Sequence, residues 1–265
     1  MLCDSHVHLL DDRLRDRADE IVENLEKDGI AFVVEISAGI DESHRAIEFA
    51  GKHERVFCTL GVHPHYSGEY GEKGEEFEDW VRTVRNNKKV VAIGECGLDY
   101  HYPSRPSDSC QRAAFVSQIK LAHEVKLPFV VHSRDSFEDT FTILKENKEL
   151  LKNGLLMHCY SYGAAEVEKL SREFDAYFSF SGAFTYAKKQ FDVEAVKEAM
   201  KSVPKNRIML ETDCPYLAPV PVRGTINEPK NTYHIAKAMG EILGLSFDEV
   251  AKLTLENTKR FYRMR

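Results

Sequence analysis

Leu2-Cys3-Asp4-Ser5-His6-Val7-His8-Leu9 is a short apolar run ending in two histidines one residue apart. In an extended strand successive side chains point to opposite faces, so His6 and His8 project from one face about 7 Å apart along the backbone. Two imidazoles placed that way can share a metal ion, although an isolated pair is more often solvent-facing or hydrogen-bonded. The pattern gains weight by recurring. Further hydrophobic runs along the chain also end in an acid or a histidine.

Eight β-rich runs are legible, over 2–9, 31–36, 56–60, 90–94, 129–132, 155–158, 176–180 and 207–210. Segments of helical period alternate with them, over 17–27, 41–53, 74–86, 109–125, 136–151, 164–174 and 191–202, and two more follow over 232–243 and 246–262. End signals agree: Asp41-Glu42-Ser43-His44 starts one helix, Gly29 and Gly154 close others, and Ser246-Phe247-Asp248-Glu249 has the form of a capping box. Strict alternation predicts an α/β fold, a (β/α)8 TIM barrel, with a doubly wound open sheet as the alternative. The chain has 265 residues and no repeat, low-complexity tract or linker, so residues 1–265 are expected to form a single domain.

Composition narrows the function classes. The chain is 43% hydrophobic and 30% charged, with a formal net charge of -7, which argues against a surface that embraces nucleic acid on all sides. A local basic patch or bound divalent cations would still admit phosphates. The six cysteines form no CxxC and no close pair. With no signal peptide expected ahead of Leu2 and no apolar stretch near the roughly 20 residues of a membrane span, the expectation is a reduced, cytoplasmic protein with no membrane partner. A monomer is favoured.

In a barrel of this kind catalytic groups come from the C-terminal ends of the strands. His6 and His8 end the first run, Glu95 follows Val91-Ala92-Ile93-Gly94, His132 follows Phe129-Val130-Val131, His158 follows Leu155-Leu156-Met157, and Asp213 follows the last. Singly, each has an ordinary reading as a loop acid, a core histidine or a turn aspartate. Together they place four imidazoles and two carboxylates at one rim, a set that is costly to bury unless something cationic organises it. Two divalent ions would do so.

The residues resemble, in order and spacing, the TatD family of metal-dependent deoxyribonucleases within the amidohydrolase-like barrels. The matching stretches are His6-Val7-His8, Gly61-Val62-His63-Pro64-His65, Gly94-Glu95-Cys96-Gly97-Leu98-Asp99-Tyr100, Val131-His132-Ser133-Arg134-Asp135, Met157-His158-Cys159-Tyr160-Ser161 and Glu211-Thr212-Asp213-Cys214-Pro215. Arg223-Gly224, Asn227-Glu228-Pro229 and Asn257-Thr258-Lys259-Arg260-Phe261 carry the likeness to the C-terminus. The resemblance implies that His6, His8 and Asp213 hold one metal, His132 and His158 another, and that Glu95 bridges them, leaving room for a shared water. Asp213 and Glu95 are then the catalytic residues, with Asp213 as ligand and general base. The ions are Mg²⁺, Mn²⁺, Zn²⁺ or Co²⁺, since such a donor set does not choose among them.

Substrate contacts follow from the same likeness. His63 and His65 are expected to hold phosphate, with Arg134 and Arg223 sharing the role, although Arg134 could instead pair with Asp135. Tyr100, Tyr102 and Tyr160 could stack on bases or simply pack their loops. Cys96, Cys159 and Cys214 beside the ligands are expected to pack. Tyr162 departs from the family, which usually has glycine there, and so does the loose Ser179-Phe180-Ser181-Gly182 run; both bear on specificity. The expected activity is phosphodiester hydrolysis at 3′ ends of single-stranded DNA, of 3′-5′ exonuclease type. The alternative is a barrel enzyme cleaving a small amide, ester or lactone, which the acidic balance favours.

Overall fold

A computed structural model describes residues 1–186 and 192–264. Runs of β-branched and large apolar residues form β1 (Leu2–Val7), β2 (Ile30–Glu35), β3 (Val56–Leu60), β4 (Val90–Asp99), β5 (Phe129–Arg134), β6 (Leu155–Met157), β7 (Tyr177–Phe180) and β8 (Ile208–Leu210). They pair in parallel in sequence order to make one eight-stranded sheet. The seam between β1 and β8 closes through a bridge of Val7 with Cys214, with His8 N–H donating to Cys214 O at 2.8 Å and Asp213 N–H to His6 O at 3.0 Å. Below it the buried Asp4 carboxylate accepts from Thr212 N at 2.9 Å and Thr212 Oγ1 at 2.5 Å. This is the predicted (β/α)8 barrel.

Alternation along the strands separates two apolar layers. Phe32, Val34, Val130, Leu156, Tyr177 and Met209 form one cluster. Their strand neighbours Val33, Phe129, Val131, Met157, Phe178 and Leu210 join helix side chains such as Phe49, Phe115 and Ile119 in the other. The first fills the barrel and the second glues the helices to it, as the two-faced burial of parallel strands requires. The surrounding helices are α1 (Ala18–Asn24), α2 (Ile40–Lys52), α3 (Ser67–Val84), α4 (Asp108–Val125), α5 (Phe137–Glu146), α6 (Ala164–Glu173), α7 (Val193–Ser202), α8 (Thr232–Leu243) and α9 (Phe247–Phe261). Ser246 and Glu249 make the expected capping box on α9.

Several boundaries differ from the sequence reading. Helix α3 begins at Ser67, not 74, because Gly68, Gly71 and Gly74 hide its first turns, which buried Tyr70 anchors through its hydroxyl on Glu78 Oε1 at 2.6 Å. Helix α5 stops at Glu146, and a 3-10 turn over Lys148–Leu150 replaces its expected last turn. The predicted start of the seventh helix at residue 191 lies outside the described residues.

The largest difference matters for function: β4 runs on to Asp99 instead of ending at Gly94. Gly94 and Gly97 let neighbouring strands approach closely. A Cβ at Gly97 (φ +149°) would stand 1.9 Å from His132 O, and one at Gly61 would stand 2.6 Å from Gly94 Cα. Gly97→Ala should therefore push β4 and β5 apart and lower stability by about 3 kcal/mol, in the range of overpacking with backbone strain. A thermal melt should show a Tm lower by about 6 to 12 °C. An unchanged Tm would mean that the two strands do not meet so closely.

Candidate metal centre

The ends of β1, β4, β5, β6 and β8 deliver their side chains to one point. Glu95 is buried there and turns its two oxygens to different partners. Oε2 lies 2.8 Å from His6 Nε2 and 3.8 Å from His8 Nε2. Oε1 lies 2.8 Å from His132 Nδ1, 3.3 Å from His158 Nε2 and 3.2 Å from His63 Nε2. Asp213 Oδ1 closes the first group at 3.7 Å from His6 Nε2 and 3.4 Å from His8 Nε2. All six residues expected as ligands thus meet.

The imidazole nitrogens face one another in a way that asks for a cation. His6 Nε2 and His8 Nε2 are 3.2 Å apart, and so are His132 Nδ1 and His158 Nε2. His8 Nδ1 sits 3.0 Å from Ile36 O, and a carbonyl only accepts, so the proton is on Nδ1 and the bare Nε2 faces the centre. His158 turns Nδ1 toward buried Glu211 Oε1 at 3.5 Å, which presents its Nε2 inward. Glu95 Oε2 is buried without a hydrogen bond of its own, as is His6 Nδ1. Ligand atoms from His6, His8 and Glu95, from His6, His158 and Asp213, and from Glu95, His132 and His158 each fall within 4.8 Å of one another. Lone pairs and carboxylates at that spacing fit divalent cations.

Electrostatics point the same way. Burial pushes the Glu95 carboxyl up, but His158 and His6 outweigh it and hold it well below the carboxylate range. Burial likewise opposes ionisation of Asp213, and the neighbouring His8 and His6 imidazoles bring it down. Both are anions at neutral pH. Burial disfavours charge on His158 and His132, yet the facing carboxylates raise both, so the pocket rewards positive charge at its centre.

His63 behaves differently. Its Nδ1 accepts the His65 backbone N–H at 3.1 Å, so the proton is on Nε2, which donates toward Glu95 Oε1. Burial and neighbouring His132 lower its pKa to about 4, so the ring is neutral and offers a donor to the cavity. A grouping of His63, Asp99 and His132 is also compact, but this proton points into it. His65 lies at the mouth, Nε2 3.2 Å from Asp99 Oδ2.

The other expected contacts divide. Arg134 does not pair with Asp135, which binds His101 Nδ1 at 2.7 Å; its guanidinium lies over Tyr102, 5.2 Å from the ring centre, with Nη1 3.3 Å from the hydroxyl. Arg223 is exposed and stacks on Tyr186 at 3.9 Å. The expectation for Tyr160 is corrected. It is 4% exposed, packs edge-on against Phe178 and Phe180, and donates its hydroxyl to Gly163 O at 3.0 Å, so no face is left for a base. The Tyr162 hydroxyl lies 2.9 Å from Ser133 Oγ and accepts from Ser136 N at 3.3 Å. Cys96 and Cys214 are buried beside the site, and Cys159 Sγ lies 3.1 Å from Ser181 Oγ.

Two buried carboxylates escaped the sequence reading. Glu211 accepts from Cys159 N at 2.7 Å and Ser179 Oγ at 2.6 Å beneath His158. Asp99 accepts from His101 N at 2.9 Å and lies 3.1 Å from His132 Nε2. Burial favours its neutral form, but the hydrogen bonds from His132 and His65 win and keep it well below the usual range. The signal was the even spacing of Asp99 from Glu95, which puts both on one face of an extended strand.

Residues 3–263 match a family model described as TatD related DNase. The chain is 36% identical over 264 residues to the uncharacterised metal-dependent hydrolase YabD of Bacillus subtilis, covering 100% of both chains. It is 32% identical over 267 residues to the uncharacterised metal-dependent hydrolase YcfH of Escherichia coli, covering 99% of this chain and 96% of that one. Among solved structures, a TatD homologue from Escherichia coli, YjjV, superposes with a TM-score of 0.87 at 22% identity over 100% of this chain and 98% of the other. A TatD family hydrolase from Entamoeba histolytica gives 0.86 at 23% identity, covering 100% of this chain and 98% of that one.

Proposed function

We propose, from the premise that this chain belongs to the TatD family and is a metal-dependent hydrolase, that it cleaves phosphodiester bonds at 3′ ends of single-stranded DNA with two divalent ions. The observation that carries this reading is Glu95, whose two oxygens face separate histidine sets. His6, His8 and Asp213 would hold one ion, His132 and His158 the other, with Glu95 between them. Mg²⁺, Mn²⁺, Zn²⁺ and Co²⁺ all suit such donors. All six cysteines are free, which supports a reducing, cytoplasmic setting. No helix among the described residues is long and apolar enough to cross a membrane.

When bound, the ions supply charge neutralisation at the phosphate and an acidified water. Asp213, ionised and at the edge of the cluster, accepts the proton of the attacking water. His63 Nε2–H donates to a nonbridging phosphate oxygen, a role its fixed tautomer prepares. Arg134, spread over Tyr102 at the mouth, meets the incoming backbone with a delocalised charge, and Tyr102, 45% exposed, offers a surface for a base. Arg223, exposed in the loop after β8 and stacked on Tyr186, offers a second cation to phosphate.

Loading the protein with Mg²⁺ or Mn²⁺ and offering labelled single-stranded DNA beside a panel of small esters, amides and lactones tests the reading. Shortening of DNA from its 3′ end is expected. Turnover confined to the small substrates would replace the reading with the amidohydrolase alternative. His63→Ala and Arg134→Ala should each lower DNA turnover by about 10- to 100-fold, as befits a lost hydrogen bond to a charged group of about 1.5–3 kcal/mol, with metal content unchanged. Metal loss in His63→Ala would make it a ligand instead.

A further inference from the structure

We propose that Tyr216 is a second base-stacking surface, and that a single strand is held by two bases, one on Tyr216 and one on Tyr102, with the histidine-carboxylate cluster between them. The inference rests on the DNA reading above and names the feature the mouth selects, an unpaired base on each side of the cluster. Among the described residues, the exposed large apolar side chains other than Met1 and Tyr233 are Tyr66, Tyr102, Tyr216, Val220 and Ile226, all in segments that follow β3, β4 and β8 at the ligand end of the barrel. Tyr216 comes three residues after Asp213, and its ring makes a T with His8 at 6.1 Å between centres. The Tyr102 ring stands in the same way to His65, at 5.4 Å. Tyr102 follows β4 and its partner Arg134 ends β5, the strands farthest from the seam of β1 and β8 in the closed order, so the two rings flank the cluster from opposite sides.

Tyr216 is held as a plate. Arg13 lies over one face, its guanidinium carbon 4.1 Å from the ring centre. Asp11 ties both members down: Oδ1 accepts from Arg13 Nε at 2.8 Å, and Oδ2 accepts from Arg13 Nη2 at 3.0 Å and from the Tyr216 hydroxyl at 3.1 Å. The guanidinium edge that could fork onto a phosphate is thereby spent on Asp11, and the Asp11 charge that would repel a phosphate is offset. A cation over one face and a fixed hydroxyl orient the ring, yet Tyr216 is still 45% exposed. Arg134 over Tyr102 repeats the arrangement across the mouth. A pre-ordered aromatic face takes any base of a single strand, at little ordering cost, whereas bases in a duplex are already stacked on one another.

Labelled single strands that lack one base, at each of the last three positions from the 3′ end in turn, test the pair through kcat/KM of the first cleavage with Mn²⁺. With wild type, a missing base at either of two positions should cost about 5- to 100-fold. In Tyr216→Leu the intact strand should lose about that much, and one of the two positions should then cost nothing further when its base is removed. Tyr102→Leu should silence the other position. Tyr216→Trp, which keeps an aromatic face, should retain the wild-type pattern, and metal content should be the same in all of them. A general disturbance of the loop would slow every strand without silencing one position. Tyr216→Leu protein as sensitive as wild type to every missing base would overturn the second surface and leave the DNA reading intact. Both leucine variants silencing the same position would overturn the two-sided grip. Wild type that cleaves no single strand would overturn the DNA reading and this inference with it.

Discussion

Glu95→Ala should abolish turnover, with activity down by on the order of 10³-fold or more, and should release at least one ion. Glu95 is within 3.3 Å of His6, His63, His132 and His158, so its removal takes a carboxylate from both histidine sets at once. Ions at such a site contribute several kcal/mol of charge stabilisation in the transition state, and each 1.4 kcal/mol is a factor of ten in rate. Elemental analysis after dialysis, run beside a DNA turnover assay, checks both halves. Full wild-type metal content in this variant would remove Glu95 from its bridging place.

Asp213→Asn separates ligation from proton transfer. The amide keeps the shape and one oxygen donor toward His6 and His8, yet it cannot accept the proton of the attacking water. General acid-base assistance is commonly worth about 10²- to 10⁴-fold, so a loss of that size with much of the metal retained is the expected result. Near wild-type turnover at full occupancy would exclude Asp213 as the base and leave it a ligand alone.

The reach of sequence reading here follows from the physics of each element. Strands of a parallel barrel are buried on both faces and show as continuous apolar runs, so all eight were legible, and each expected ligand stood out as an ionisable residue at the end of a predicted run. What stayed hidden depends on neighbours remote in sequence. That Val130 O crowds Gly94 and His132 O crowds Gly97 is not visible locally, and with β4 ended at Gly94 Asp99 fell outside the site. Tyr160 looked available because nothing local shows that Phe178 and Phe180 enclose it. The proton on His63 is set by the main chain of His65 in a 3-10 turn over Pro64–Tyr66, which periodicity does not reveal.

The seam between β1 and β8 also orders events during synthesis. Chains emerge N-terminus first, so His6, His8, Glu95, His132 and His158 are all made before Asp213. Asp213 arrives with the same segment whose Thr212 binds Asp4 and whose Cys214 bridges Val7. Barrel closure and delivery of Asp213 to the cluster are therefore one event, and an unfinished chain on the ribosome holds the other five residues of the cluster without it. The cluster proposed as the metal centre is thereby incomplete until translation is nearly done.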